Sequence, residues 1–362
     1  MTGTSLDAVD MAVLETDGEA IQAFGPAGER KLTDATRDIV LEATNAARAW
    51  ARGAPEPEVF ASAARAVAEE HLAAGQSFVE EHGLQWSDFD LIGLHGQTVL
   101  HERPKDEVVG RTVQLGDGAR IAASTGVPVA FDFRTVDVAA GGEGAPLAAV
   151  YHLARVQASG REAPTAVLNI GGVANITLIS PGRELVAFDT GPGNGMIDLL
   201  VQARGQGRFD EGGRLAAAGR VDEGVLEGLL AHDYFAAPPP KSLDRYDFPI
   251  EALDGLSIED AAATLVAFTA ASVVKGLDHA IEPPVSLIVT GGGRHNPQIM
   301  RALRQRSPVE VLAAEDAGWR GDAIEAESFA YLAARTARGL PISFPGTTGV
   351  PQPMTGGRIA RP

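Results

Sequence analysis

The sequence predicts an α/β protein made of two halves with related topology. Three observations carry that prediction. The chain has 362 residues, enough for about two domains of ordinary length. Short apolar runs bounded by Gly, Asp or Pro alternate with longer stretches rich in Ala, Glu and Arg, the pattern of buried strands and surface helices. A turn of glycine and small polar residues leading into an apolar run occurs at Gly3 to Asp7 and again at Gly171 and Gly172.

Taken in order, Ala8 to Glu15 and Ala20 to Phe24 read as a strand pair, followed by helices over 33–50 and 57–82. Leu91 to Leu94, Thr112 to Leu115 and Val127 to Phe131 read as short buried strands. In the second half Ala166 to Ile170, Ala174 to Ile179 and Leu185 to Phe188 make strands in quick succession, with a helix over Met196 to Gln202. Helical patterns over 221–235 and 258–281 come next, then a strand Ser286 to Thr290, a glycine turn, and helices over Pro297 to Gln305 and Ala323 to Ala337.

Composition narrows the chemistry. A hydrophobic content of 45 % is ample for two cores, and the absence of Cys excludes disulfides, thiolate metal sites and a cysteine nucleophile while fitting a reducing cytoplasm. The formal charge of −18 opposes a nucleic-acid partner, which needs a basic patch. An anionic small ligand then has to be held by local amides, a metal ion and a few Arg or Lys. Pro, Gly or charge interrupts the apolar runs short of a membrane span, and no signal peptide precedes Gly3, so the expectation is a cytoplasmic protein without a membrane partner.

The turn over Met1 to Asp10 has phosphate-site chemistry. Gly3 lets the backbone approach an anion closely, Thr4 and Ser5 can donate to phosphate oxygens, and Asp7 or Asp10 can position a hydrated magnesium ion. The same residue types also make a plain surface turn. A turn that grips phosphate should hang from a strand on both sides, as the one at Gly171 does. Only Met1 and Thr2 precede Gly3, so the expectation is a missing strand of about five or six residues ahead of the turn, with weak ATP binding as the consequence. Two such halves facing one another form a cleft where nucleotides commonly bind.

The segments GTSLDAVD (Gly3 to Asp10), LHGQTVLH (Leu94 to His101), VQLGDGARIA (Val113 to Ala122), FDFRTVDVAAGGEGAPL (Phe131 to Leu147), LNIGGVANIT (Leu168 to Thr177), FDTGPGN (Phe188 to Asn194), PPPKS (Pro238 to Ser242) and VTGGGRHN (Val289 to Asn296) resemble the anhydro-N-acetylmuramic acid kinases. They occur in order and span nearly the whole chain. The resemblance implies an actin-like ATPase fold of the hexokinase type, with two domains flanking an ATP and sugar cleft. It implies a reaction in which ATP and water open the anhydro bridge of a cell-wall sugar and phosphorylate its 6-oxygen, giving N-acetylmuramate 6-phosphate for peptidoglycan recycling. ATP and Mg2+ are the implied cofactors and a homodimer the implied assembly. The family usually has an apolar strand before the first turn, SGTS where this chain has Thr2-Gly3-Thr4-Ser5, Gly in place of Ala8, and Thr-Gly in place of Leu243-Asp244. A kinase of another anhydro sugar such as levoglucosan, and a silent sugar or nucleotide sensor, remain alternatives. Retained Asp189 and Asp132 argue against the sensor.

The site residues can be set beside that resemblance. When a γ-phosphoryl group captures the leaving oxygen, opening an anhydro bridge requires one carboxylate base for water rather than the pair used by inverting glycosidases. Asp189, at the end of Val186-Ala187-Phe188 and before a Gly-rich turn, is the candidate, and by resemblance it matches the family's catalytic base. An Asp there can also cap the following helix. Asp132 and Arg134, two apart on an expected extended segment, would share a face and hold a sugar hydroxyl or the water and a carboxylate or phosphate, or else make a surface ion pair. His95 and Gln97 are expected on one face as sugar contacts. Glu325 matches a substrate contact by resemblance and also suits a helix start. The nucleotide is assigned to Gly3, Thr4, Ser5, Leu6, Asp7, Ala8, Val9 and Asp10, to Gly171 and Gly172, and to Gly291, Gly292 and Gly293 as an adenosine turn. No direct metal ligand is certain, magnesium coming with ATP and reaching Asp7 through water. Lys241 can anchor a lid or a subunit interface. The expected domains are 1–134, joined by the tail 340–362, and 135–339.

Overall fold

The computed structural model describes residues 1–3, 6–105, 108–243 and 247–362, so Thr4 and Ser5 of the candidate turn lie outside the described residues. In chain order the strands and helices are β1 (Ala8–Thr16), β2 (Ile21–Lys31), α1 (Asp34–Ala49), α2 (Val59–Glu81), β3 (Ile92–Leu94), β4 (Gln97–Glu102), β5 (Arg111–Leu115), α3 (Gly118–Thr125), β6 (Val129–Phe131), α4 (Thr135–Ala139) and α5 (Ala149–Ala158). There follow β7 (Thr165–Ile170), β8 (Val173–Ile179), β9 (Val186–Pro192), α6 (Gly195–Ala203), α7 (Arg214–Ala218), α8 (Glu223–Leu230), α9 (Ile258–Leu277), β10 (Ser286–Thr290), α10 (Pro297–Arg306), β11 (Glu310–Ala313), α11 (Ile324–Ala337), α12 (Pro345–Thr348) and β12 (Arg358–Ala360).

The chain divides into unit 1, Met1–Ala158 with Glu325–Pro362, and unit 2, Ser159–Ile324. These limits differ from the expected ones at 134 and 339. The reason is packing: α4 lies on β5 and α5 on β2, while on α11 the Tyr331 hydroxyl donates to Glu19 O and Arg335 to Gly18 O. The C-terminal segment Glu325–Pro362, α11 included, belongs to unit 1.

Unit 2 holds a five-stranded sheet in the order β11-β10-β7-β8-β9. β7 is central, parallel to β10 and antiparallel to β8, and five of its six residues are buried. Such burial on both faces explains its continuous apolar run. α9 packs on this sheet. Ser257 starts it by accepting from Asp260 N, and fully buried Leu265, Phe268 and Val273 each contribute about 1.5 to 3 kcal/mol relative to exposure. α9 is also an exception to the expectation that every apolar run is interrupted: by length and composition it is long and apolar enough to cross a membrane, and 78 % of its most apolar window is buried in the protein.

Unit 1 has its strands in smaller groups: β1 with β2, β4 with β5, and β12-β6-β3. α1 begins at Thr33, whose side chain accepts from Thr36 N, and packs on α2 around Val40, Ala43 and Val67. The sequence reading missed β4, α3 to α5, α7, β11, α12 and β12, and a single helix over 221–235 is in fact α8 followed by a 3-10 turn at Asp233–Ala236. Leu230 ends the apolar face that α8 lays on α9, and His232 then accepts from Tyr234 N, turning the chain.

Candidate functional site

The first turn of unit 1 is anchored at both ends. Thr2 bridges to Val9 in antiparallel fashion, Thr2 Oγ1 donates to Gly96 O at 2.9 Å, and Arg37 Nε donates to Leu6 O at 2.9 Å. Leu6 has φ of 53°, an uncommon conformation for a residue with a Cβ. Leu6, Ala8 and Val9 are buried in the core, so only their backbone groups are suited to a ligand. Asp7 is exposed, its Oδ1 accepting from Ala8 N. Asp10 is half-buried; burial pushes its carboxyl up to about 7 against the pull of the Met1 ammonium. A carboxylate costly to ionise is the poorer magnesium neighbour of the two.

His95, Gln97 and Arg134 come together in the same unit. His95 is buried, its Nδ1 2.9 Å from Gly96 O and its Nε2 3.3 Å from Arg134 Nη2. Since Arg can only donate, Nε2 accepts and Nδ1 carries the proton. Burial, then the Arg134 charge, holds the imidazole well below its ordinary pKa, so it is neutral. Phe329 packs on its ring at 4.4 Å. Arg134 also donates to Gly144 O at 2.7 Å; burial lowers its pKa, countered by Glu325 and Asp137. Glu325 keeps a solvent-exposed surface, yet the surrounding protein raises its carboxyl and Arg134 draws it back. Gln97 is 4 % exposed, and its Oε1 is buried with no hydrogen-bond partner. An unsatisfied buried amide oxygen of this kind calls for a donor.

Two geometric expectations are corrected. His95 and Gln97 do not sit on one extended strand: Gly96 between them has φ of +67°, and a Cβ there would come within 2.1 Å of Leu115 O. Asp132 and Arg134 do not share a face either, because Asp132 has φ of 57° and Arg134 begins α4. Their partners diverge accordingly. Asp132 accepts from Thr135 Oγ1 and forms an ion pair with Arg358 at 2.9 Å.

The sequence reading overlooked Asp137. Its side chain is buried and accepts from Gly144 N at 2.6 Å and Thr348 Oγ1 at 2.5 Å, which fixes the Gly-rich segment whose carbonyl holds Arg134. Its place three residues after Arg134 in the FDFRTVD motif is the signal that could have found it.

In unit 2, Asp189 lies at the middle of β9 and not at a strand end, because the strand continues through Thr190 and Gly191 to Pro192 and Asp189 pairs with Asn175 of β8. Its Oδ2 accepts from Leu243 N at 2.8 Å, its N–H donates to Lys241 O at 3.1 Å, and its carbonyl accepts from Tyr234 Oη at 2.5 Å. Asp189 thus precedes α6 without capping it; Asn194 is the residue at that helix start. Lys241 ties the adjacent segment together, donating to Tyr234 O at 3.0 Å and Ala237 O at 2.7 Å, with burial lowering its pKa. Both acceptors lie in unit 2, in the segment just before the loop that grips Asp189.

The glycine turns of unit 2 are packed backbone to backbone. Asn194 N donates to Gly171 O at 2.7 Å and Gly193 N to Gly172 O at 3.1 Å. Gly291 has φ of +75°, and a Cβ on it would meet Asn169 Oδ1 at 2.4 Å; one on Gly293 would meet Ile170 Cγ2 at 2.2 Å. Gly292 is exposed, with only Asn194 Nδ2 as near as 3.8 Å. Arg294, which the sequence reading passed over, donates to Gly291 O at 2.9 Å while pairing with Glu315 and Asp322.

Within unit 1 the buried neutral His95 beside Arg134 suits recognition of a polar ligand, and within unit 2 the braced carboxylate of Asp189 suits general-base chemistry. A family model described as anhydro-N-acetylmuramic acid kinase matches residues 1–362. The protein of that name from Phenylobacterium zucineum is 70 % identical over 362 residues, covering 100 % of this chain and 98 % of that protein. The one from Caulobacter vibrioides is 70 % identical over 359 residues, covering 99 % and 97 %. A solved ROK family glucokinase from Streptomyces griseus, in complex with glucose and AMPPNP, aligns over 91 % of this chain and 99 % of its own at 12 % identity and a TM-score of 0.39. The full-length family match and the 70 % relatives agree with the ordered motifs that hold these residues: the chain belongs to the anhydro-N-acetylmuramic acid kinase family.

Proposed function

We propose that this chain is an ATP-dependent kinase that hydrolytically opens the ring of 1,6-anhydro-N-acetylmuramic acid and phosphorylates its 6-oxygen, giving N-acetylmuramate 6-phosphate for cell-wall recycling. Family membership over residues 1–362 supports the reaction class. The observation that carries the mechanism is the bracing of Asp189: the Leu243 N–H holds one carboxylate oxygen while the Tyr234 hydroxyl holds the backbone carbonyl.

In this reading Asp189 takes a proton from water as the water oxygen bonds to the anomeric carbon. The bond from that carbon to the 6-oxygen breaks, the 6-oxygen bonds to the γ-phosphorus of ATP, and the bond to the ADP oxygen breaks. The phosphoryl group therefore does the work of an acid, and one carboxylate suffices. His95, as a neutral Nδ1–H tautomer, Gln97 and Arg134 bind the sugar's polar groups, with Glu325 and Asp132 as further contacts. The backbone of Gly3 to Asp10 and of Gly171 and Gly172 is assigned to phosphates, and Gly291 to Gly293 to the adenosine.

Magnesium fits as an ion carried by phosphates and water, the usual habit of this cation. Among the described residues no group of three or more His, Cys, Asp or Glu is placed to hold a metal, and exposed Asp7 suits a contact through water. Magnesium supplies charge neutralisation at the phosphates. We extend the reading to a cytoplasmic homodimer on the family resemblance.

The test is turnover of magnesium-ATP and the anhydro sugar in oxygen-18 water. The label should enter the anomeric oxygen and stay out of the phosphate ester. Label in the phosphate would mean that ATP hydrolysis and ring opening are separate events. A panel including levoglucosan, read as sugar phosphate by mass spectrometry, tests the substrate.

A further inference from the structure

Arg134 begins α4 and Asp137 follows three residues later, a spacing at which helical neighbours lie side by side. What they share is Gly144. Its N–H donates to Asp137 Oδ1 at 2.6 Å, and its carbonyl accepts from Arg134 Nη1 at 2.7 Å. One residue therefore stands between a carboxylate and a guanidinium, with both ends of its backbone engaged. The position requires glycine: φ at Gly144 is +72°, and a Cβ there would come within 2.6 Å of Val138 Cγ2 and 2.8 Å of His101 Cε1.

The carboxylate is itself held from the far end of the chain. Asp137 is 1 % exposed, and its other oxygen accepts from the hydroxyl of Thr348, 211 positions later, at 2.5 Å. Thr348 is fully buried at the end of α12, and its carbonyl accepts from Glu143 N at 2.7 Å. Gly142 makes this approach possible, since a Cβ on it would meet Asp137 Oδ1 at 2.3 Å and Val350 Cγ1 at 2.7 Å. One carboxylate oxygen thus grips the Gly-rich segment and the other the C-terminal segment. Burying a carboxylate carries a desolvation cost that an apolar side chain of similar size avoids, so this one needs a purpose beyond filling the core.

That purpose lies at Arg134. Its guanidinium is a rigid planar fork, engaged at one nitrogen by Gly144 O and at another by His95 Nε2, 3.3 Å away. A shift of the Gly144 carbonyl turns the whole fork, and with it every donor that Arg134 can offer a ligand. The Asp137 charge acts on the same group: together with Glu325 it opposes the burial that lowers the Arg134 pKa.

We infer that Asp137, locked by Thr348, is a positioning residue of the sugar site, fixing Gly144 so that the Arg134 fork is aimed. The inference rests on the reading of Arg134 as a sugar contact. It gives the C-terminal segment a part in substrate recognition through the Thr348 hydroxyl. Asp137 acts on binding of the anhydro sugar and not on ATP.

The experiment measures KM for each substrate in the full chain carrying Thr348→Val, Thr348→Ser, Asp137→Asn or Arg134→Lys, with Tm recorded for each. Thr348→Val keeps the shape and loses the hydroxyl; it should raise KM for the anhydro sugar about three- to tenfold, the scale of one hydrogen bond, and leave KM for ATP within about twofold. Thr348→Ser keeps the hydroxyl and should rescue the sugar KM whatever it does to Tm, an outcome that a purely structural role does not produce. Asp137→Asn, which cannot accept on both sides, should raise the sugar KM about tenfold, the scale of a charged hydrogen bond. Added to Arg134→Lys, Thr348→Val should have little further effect, because both act through one network. If Asp137→Asn does not fold, the two Thr348 variants decide. A sugar KM that is unchanged in Thr348→Val, or that rises equally with KM for ATP, while Arg134→Lys raises it, overturns the inference and leaves the sugar role of Arg134 standing. A normal sugar KM in Arg134→Lys overturns that role and the inference with it.

Discussion

Arg134 donates from one nitrogen to His95 Nε2 at 3.3 Å and from another to Gly144 O at 2.7 Å. A fixed planar fork is needed to reach both acceptors, and a lysine ammonium on a flexible stem does not reproduce it. Arg134→Lys should therefore raise KM for the anhydro sugar about tenfold or more, the scale of one charged hydrogen bond, with KM for ATP little changed. Steady-state kinetics with each substrate varied in turn checks this, and equal effects on both would remove Arg134 from the sugar site.

If Asp189 is the base for water, Asp189→Asn should lower kcat by about 10² to 10⁴, the usual worth of general-base assistance. ATP affinity, measured by calorimetry, should be retained. Near-normal turnover in a folded variant would move the role to another carboxylate, Asp132 first.

Tyr234→Phe removes the hydroxyl that holds Asp189 O while keeping the ring beside Lys241. The expected loss in kcat is about two- to tenfold, the scale of a net neutral hydrogen bond. An unchanged kcat and pH profile would mean that the carbonyl needs no such brace.

Gly292 and Gly293 should separate fold from ligand. A methyl on Gly292 makes only an ordinary contact with Asn194 Nδ2 at 3.8 Å, whereas one on Gly293 overlaps Ile170 Cγ2 at 2.2 Å. Gly292→Ala should keep Tm and weaken ATP binding, while Gly293→Ala should lower both. Full ATP affinity in the first variant takes the adenosine away from this turn.

Stability should fall in acid through His152. It is 2 % exposed, and burial lowers its pKa from 6.5 to about 4. A depressed folded-state pKa gives stability that is complete above pH 6.5 and is lost as pH falls through 4, at about 1.4 kcal/mol per pH unit in between. Urea unfolding at pH 7 and pH 5 measures it, and His152→Leu should reduce that difference even if it lowers stability at both. The same pH dependence in both proteins would assign the acid sensitivity to other groups such as His71.

The turns and strands around the candidate site were legible because their chemistry is local. Gly171, Gly172 and Gly291 to Gly293 mark strand ends in the sequence, and Asp189 stands where an apolar run gives way to glycine. The orientation of neighbours was not legible. Spacing alone put Asp132 and Arg134 on one face, but a left-handed residue at Asp132 and an ion pair to Arg358, far along the chain, turn them apart. Asp137 and Arg294 were missed for the same reason: what they hold, Gly144 and Thr348 for one and Glu315 for the other, becomes visible only once distant segments meet.

Unit 2 is one uninterrupted stretch of chain, while unit 1 closes only when β12 comes back to pair with β6. During synthesis the second unit can therefore complete its sheet on the ribosome while the first still waits for its final segment. Domains tend to fold as units as they emerge, with exposed strand edges prone to aggregation meanwhile. The edge of β6 is one such edge, so a chain stalled before Arg358 would leave the ribosome with unit 2 formed and unit 1 open.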